Sequence, residues 1–268
     1  MMEQQKHNTE LNSAKLSDTK LGNKVALITG AGQGVGQGIA IALAKQGARI
    51  AVAGRTEAKL KQTCELIHAF GGEAQPFIID ITDAASTTDC VEAVVSHFGG
   101  LNILVNNAQE SPLGLLNELT EIELERGWQS GPMATFRLMK LCYPYLKGDG
   151  SIINLASSAS KRWDMSGYGG YAAVKEAIRS LTRTAANEWG PDNIRSNVIL
   201  PVAKSPGLGW WAEHNPEEAQ AFLNTIPLQR FGDCVDDIGQ FVAMMCSDES
   251  RYLNGQSIAL DGGQAYLG

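Results

Sequence analysis

The stretch VALITGAGQGVGQG, residues 25–38, decides the fold. It begins with apolar and β-branched residues, the pattern of a strand buried on both faces, and runs straight into a glycine-rich turn. An apolar helical stretch, IAIALA at residues 39–44, follows. Gly30, Gly34 and Gly36 have the spacing G-x3-G-x-G, with Gly32, Gln33 and Val35 between them. Glycines at such a turn let the backbone bend tightly and bring main-chain N–H groups and a helix N-terminus against a pyrophosphate. A turn of this kind after the first strand of a βαβ unit reads as a dinucleotide site rather than a tight connection.

Working outward, the same alternation continues. KVALIT, RIAVAG, QPFIID, LNILVNN, GSIINLAS, IRSNVILP and QSIALDGG are seven strand candidates separated by stretches of helical period. They predict an α/β, Rossmann-type doubly wound parallel sheet in a single domain over 23–268. Residues 1–22 are polar and read as a disordered tail, with a partner-binding arm as the alternative. An insertion at about 202–226 breaks the rhythm after a strand's carboxyl end, where such segments cover sites.

Composition narrows the function classes. A chain of 268 residues with 44% hydrophobic content is enzyme-sized. Its 29 acidic and 22 basic residues give a net charge of −7 with no Lys/Arg cluster, which argues against nucleic acid. No run approaches the ~20 apolar residues of a membrane span, and the N-terminus lacks a signal peptide's apolar core. The five cysteines are far apart with no CxxC pair, so neither a metal site nor a disulfide framework is expected, and a reducing cytoplasm fits.

Two further segments carry chemistry. The second strand ends AVAGRTEAKL, with Gly54 where an acid would bind both ribose hydroxyls, followed by Arg55 and Thr56. A guanidinium bonds a 2′-phosphate that an acid would repel, so NADP(H) is expected over NAD(H), although Gln33 supplies no charge to the glycine turn. The segment SIINLASSASKRWDMSGYGGYAAVK, residues 151–175, places Ser158 thirteen residues before Tyr171 and Lys175 four after it. Residues at i and i+4 share a helical face, so the ammonium stands near the phenol. A phenol with a pKa near ~10 shuttles protons poorly at neutral pH, and a neighbouring cation favours its phenolate. Together they make an acid/base pair.

From Asn23 to Gly263 the chain resembles the short-chain dehydrogenase/reductase family. TGAGQGVG looks like its glycine turn, DITD from Asp80 like its adenine segment, NNAQ at 106–109 like its NNAG motif, and YAAVK like its YxxxK motif. The carboxyl-terminal third, LQRFGDCVDDIGQFVAMMCSDESRYLNGQSIALDGG, is similar throughout. The resemblance implies that Asp80 and the Ile81 N–H meet the adenine, and that Asn107 and Ala108 lie along the cofactor. It also implies that Ser158 bonds the substrate oxygen, that Tyr171 gives or takes its proton, and that Lys175 holds the nicotinamide ribose while lowering the tyrosine pKa. Hydride transfer builds negative charge on that oxygen, and both hydroxyls are donors suited to it. Ser157 is passed over on the thirteen-residue spacing. A homotetramer, built through helices near 121–147 and 171–189, is a family expectation.

Three departures from the pattern stand out. Gln109 replaces the last glycine of NNAG. Val202 follows Pro201 where the family usually has glycine, and Ser205 is the nearest hydroxyl to the usual threonine beside the carboxamide. Gly131, in SGPMATF, falls where the family has a catalytic asparagine that distorts its helix and supports a proton-relay water. Pro132 lacks an N–H and clashes with the preceding turn, so a kink is expected there. Gly131-Pro132 would then reproduce the distortion by backbone chemistry. Trp210 and Trp211 in the insertion, with Gln109 and Trp163, are the candidate substrate residues, and His214 reads as a surface residue. The expected activity is hydride transfer between NADP(H) and a small or medium hydrophobic ketone or secondary alcohol. A 3-oxoacyl thioester reductase is the alternative, and a catalytically impaired, cofactor-sensing module is the alternative of another class.

Overall fold

The computed structural model describes residues 19–162 and 166–267. Seven strands, β1 (Val25–Thr29), β2 (Arg49–Gly54), β3 (Ala74–Ile78), β4 (Ile103–Asn106), β5 (Gly150–Leu155), β6 (Ile194–Pro201) and β7 (Ser257–Leu260), form one sheet in the order β3-β2-β1-β4-β5-β6-β7. Every pairing is parallel. The seven expected strands are all present in the expected places. The helices are α1 (Gly34–Lys45), α2 (Glu57–His68), α3 (Ala84–Phe98), α4 (Glu121–Trp128), α5 (Ala134–Leu146), α6 (Gly169–Trp189), α7 (Pro206–His214), α8 (Pro216–Asn224) and α9 (Gln240–Cys246).

Strand alternation explains why β1 is apolar throughout. Ala26 and Ile28 face a core built with Ile39 and Leu43 of α1 and Val242 and Met245 of α9, whereas Val25 and Leu27 face Val91 and Val94 of α3 and Leu138 of α5. Beyond β1 the chain proceeds to β2 on one side, while β4 pairs on the other. The crevice at that reversal of strand order, outside the carboxyl ends, is where an open α/β sheet binds ligands.

Residues before Asn23 already pack on the domain. Leu21 is fully buried in the α1 core, and its N–H donates to the Gln46 carbonyl at 2.9 Å. Lys20 pairs with Glu249 at 2.8 Å. Residues 19–22, read from the sequence as part of the tail, therefore pack on the folded body, and residues 1–18 lie outside the described ones. The insertion folds into α7 and α8, each opened by a proline at its first turn, where the missing N–H costs nothing. Among the described residues no helix is long and apolar enough to cross a membrane.

The break expected at Pro132 takes a definite form. A capping box between Thr120 and Glu123 starts α4, and the helix then widens into a π turn over Gln129–Met133 before resuming as α5. A π turn accommodates a proline ring and a missing N–H with a local bulge rather than an end to the helix.

Candidate active site

The cofactor end is made mostly of main chain. Gly30 and Gly34 adopt left-handed φ values of 66° and 59°, which side chains with a Cβ rarely take. The NNAQ loop is sewn to this turn from across the switch point. Thr29 Oγ1 accepts the N–H groups of Asn107 and Ala108 at 3.0 and 3.1 Å, and Asn107 Nδ2 donates to the carbonyls of Thr29 and Gly30 at 2.8 and 3.2 Å. At the start of α1, Gln33 gives no side-chain cap and no acid occupies the first turn. Those N–H groups are therefore free of side-chain acceptors and face the crevice as an anion site. A cleft of about 550 Å³ opens there, lined by the glycine turn, Arg55, Thr56, Asp80, Ile81, Asn107 and Ala108. This donor set, with its cradle of glycines, fits the pyrophosphate and adenosine of a dinucleotide.

Side chains at the cleft mouth refine that picture. Asp80 Oδ1 accepts from the main-chain N–H and hydroxyl of Thr82 at 2.9 and 2.7 Å, which holds its carboxyl below the usual range, with Arg55 adding a smaller pull. Arg55 is 68% exposed and pairs with Glu110 at 3.3 Å. Lys59, which the sequence reading passed over, lies one turn after Arg55 on α2 and donates to Gln33 Oε1 at 2.6 Å. Ser205 caps α7 by accepting from Leu208 N–H at 3.3 Å and lies beside Gly34, while Val202 is tied through its main chain to Leu260 and Gly232.

At the reaction end, the expected assignment of Ser158 is corrected. Ser158 is 1% exposed and donates to Asp261 Oδ2 at 2.7 Å, so its proton is committed to a buried carboxylate. Ser157 is the hydroxyl that engages the Tyr171 phenol. Its Oγ accepts the Ala159 N–H at 3.2 Å. Successive residues leaving a strand point to opposite sides, so only one of the two serines can face the tyrosine. Counting back from Tyr171 crosses a loop whose length sets no face, whereas counting from the end of β5 reaches Ser157 first.

Lys175 is 4% exposed, with Nζ donating to the Leu155 carbonyl at 2.7 Å and standing 5.4 Å from the centre of the Tyr171 ring. Burial pushes it down to about 7, well below a free ammonium. Burial likewise pushes the Tyr171 phenol up, and the opposing pull comes from Ser157 rather than Lys175. Desolvation is the larger effect, and the phenol stays above its ordinary value.

The π turn meets the NNAQ loop through two contacts. Glu110 N–H donates to Ser130 Oγ at 3.0 Å, and that hydroxyl donates to the Arg126 carbonyl at 2.7 Å. The Gln109 carboxamide lies directly over Gly131, so a Cβ placed there would stand 2.9 Å from Gln109 Nε2 and 3.0 Å from Cδ. Gln109 is therefore directed to the π turn. In the lid, Trp211 turns onto Phe222 edge-to-face, and Phe222 stacks on Phe231. The Trp211–Phe222 contact joins α7 to α8, so Trp211 serves the packing of the insertion. Trp210 is exposed and stacks on His214, which is a surface residue. Trp163 lies outside the described residues.

Comparison with known proteins agrees with this geometry. A family model described as enoyl-(acyl carrier protein) reductase matches residues 30–265. The chain is 41% identical over 249 residues to a 12α-hydroxysteroid dehydrogenase of a Clostridium species, covering 90% of this chain and 96% of that one. It is 32% identical to the 3-oxoacyl-(acyl-carrier-protein) reductase of Thermotoga maritima, covering 91% and 98% of the two chains. Among solved structures, a short-chain dehydrogenase from Burkholderia cenocepacia in complex with NADP superposes with a TM-score of 0.84 at 29% identity, covering 91% and 99% of the two chains.

Proposed function

We propose that this chain, which belongs to the short-chain dehydrogenase/reductase family, is an NADP(H)-dependent oxidoreductase of hydrophobic, ring-containing ketones and secondary alcohols. The observation that carries the reading is the meeting of Ser157, Tyr171 and Lys175 at the carboxyl end of β5, beside a cleft built for a dinucleotide. The bound nicotinamide would supply or accept the hydride. Ser157 and Tyr171 then present two hydroxyl donors to the substrate oxygen, where charge develops. Tyr171 passes its proton to that oxygen in reduction and takes it back in oxidation. Lys175, buried beneath the ring, returns the proton to the phenol.

The preference for NADP(H) rests on Arg55, just before α2, and Lys59, in its first turn, two cations that line the cleft at the adenosine mouth, with no acid at Gly54. Glu110 competes for Arg55, so it tempers the preference. The apolar substrate class is supported by the likeness to the hydroxysteroid dehydrogenase. The expected assembly is a homotetramer through α4–α5 and α6, and Ile122, Trp128, Met133 and Phe136 are exposed in the former region.

The test is NADPH oxidation with oxosteroids, monocyclic ketones and 3-oxoacyl thioesters, using Tyr171→Phe as the control. Turnover of ring ketones that the control abolishes supports the reading. Preference for the thioesters moves it to the acyl-carrier branch. NADPH binding with no turnover of any ketone makes the protein a cofactor-sensing module.

A further inference from the structure

The turn that follows β3, Asp80-Ile81-Thr82, lines the cleft and offers an acceptor beside a donor. Asp80 Oδ1 is taken by the N–H and hydroxyl of Thr82, whereas Oδ2 accepts no hydrogen bond among the described residues. The Ile81 N–H likewise has no acceptor among the described residues. A free carboxylate oxygen next to a free N–H matches the edge of adenine, whose 6-amino group donates and whose N1 accepts. It mismatches hypoxanthine, in which both roles are reversed.

Most of what holds this turn is local. Asp80 N–H donates to Ser86 Oγ at 2.9 Å, the Asp80 carbonyl accepts the Asp83 N–H at 3.1 Å, and Asp83 caps α3. The Ile81 side chain is buried in the core that Val91 of α3 and Leu138 of α5 share. A further bond reaches the turn from far along the chain. Arg137 of α5 donates from Nη1 to the Ile81 carbonyl at 2.9 Å, and its guanidinium forms no ion pair among the described residues.

That carbonyl belongs to the same peptide group as the Thr82 N–H, which donates to Asp80 Oδ1 at 2.9 Å. The group is therefore held at both ends, by Asp80 through its N–H and by Arg137 through its oxygen. A peptide group is planar, so fixing its carbonyl fixes its N–H. The position of that N–H in turn sets which Asp80 oxygen is used within the turn and which is left for the cleft.

We propose that Arg137 is a positioning residue for purine recognition: by holding the Ile81–Thr82 peptide from α5, it keeps Asp80 Oδ2 and the Ile81 N–H directed at the base, and so makes the site selective for a 6-aminopurine over a 6-oxopurine. Arg137 does not line the cleft, so it acts through the turn rather than by contact with the base. This rests on the dinucleotide reading of the cleft and not on the hydride-transfer step.

The experiment is a fluorescence titration of the protein with NADPH and with its analogue carrying hypoxanthine in place of adenine. The parent should bind NADPH about tenfold or more tighter than the analogue, because the wrong edge leaves both groups of the turn unpaired. Arg137→Met keeps the stem and removes the donors. Its Kd for NADPH should rise about fivefold while that for the analogue stays within about twofold, so most of the preference is lost. Arg137→Lys should hold the preference within about twofold of the parent, since a single bond to a carbonyl does not need the planar fork. Arg137→Gln, whose amide stops short of the carbonyl, serves if the methionine variant fails to fold. A folded Arg137→Met or Arg137→Gln protein with the parent's preference overturns the proposal. Equal weakening of both dinucleotides marks a merely structural role and overturns it too, as does a parent that does not discriminate between them. If the parent discriminates but reduces no ketone, the proposed function falls while the ratio of affinities still decides this point.

Discussion

The two ends of the crevice are built from different materials. At the cofactor end, glycine turn, strand end and helix N-terminus do the work, and the bonds joining them run largely to main chain, as from Asn107 Nδ2 to the Thr29 and Gly30 carbonyls. At the reaction end, side chains do it, and each takes its direction from a neighbour distant in sequence: Ser158 from Asp261, Gln109 from Gly131, Lys175 from Leu155. The first end tolerates substitution wherever the backbone path survives. The second depends on the direction of single side chains.

That contrast sets an order of expected effects. Tyr171→Phe should lower kcat by about 10²–10⁴-fold while leaving NADPH affinity within about threefold, read by stopped-flow and fluorescence titration. A comparable loss of cofactor affinity would break the division between the two ends. The adjacent serines come next. Ser157→Ala should cost about 10²-fold in kcat with little change in melting. Ser158→Ala should instead cost about 1–3 kcal/mol of stability, because it removes a donor from the buried Asp261 carboxylate, with kcat largely kept. The reverse pattern would return the catalytic role to Ser158.

At the cofactor mouth the effects shrink. Arg55→Ala should raise KM for NADPH about tenfold and leave that for NADH unchanged, since only a 2′-phosphate rewards the guanidinium. Glu110→Gln, which frees Arg55 from an exposed ion pair, should lower KM for NADPH by about two- to threefold. A fall for both cofactors alike would place Glu110 elsewhere in the site.

The last effect concerns stability alone. Burial holds Lys175 at about 7, whereas an unfolded lysine keeps its proton to about 10.4. Between those values the unfolded chain binds more protons, so the site's contribution to stability rises with pH from about 7 to about 10. Lys175→Met should accordingly raise the melting temperature at pH 7 by about 3 °C or more, and the gain should shrink as pH rises to 10. A gain that does not vary with pH would mean that packing, rather than the buried charge, is responsible.

Legibility in the sequence followed the same division. VALIT before GAGQG, and β-branched runs alternating with helical periods, depend on local sequence alone, so all seven strands and the glycine turn could be read directly. The break at Pro132 was equally local, since a missing N–H is a property of the residue itself. Leu21 was not, because a lone leucine in a polar segment carries no period and its docking depends on a hole in the α1 core. Nor was the inward turn of Trp211, whose partner Phe222 lies on the next helix.

The sequence by itself determined the backbone: a parallel doubly wound sheet, its switch point, a dinucleotide turn and a tyrosine and lysine on one face of a helix. Periodicity and glycine chemistry act over a few residues and leave the chain little choice. Only the tertiary structure decided which serine faces the tyrosine, how strongly the lysine is desolvated, and that Gln109 occupies the space left at Gly131. Each of those depends on direction and burial across elements far apart in the chain, where a shift of one residue turns a side chain to the opposite face.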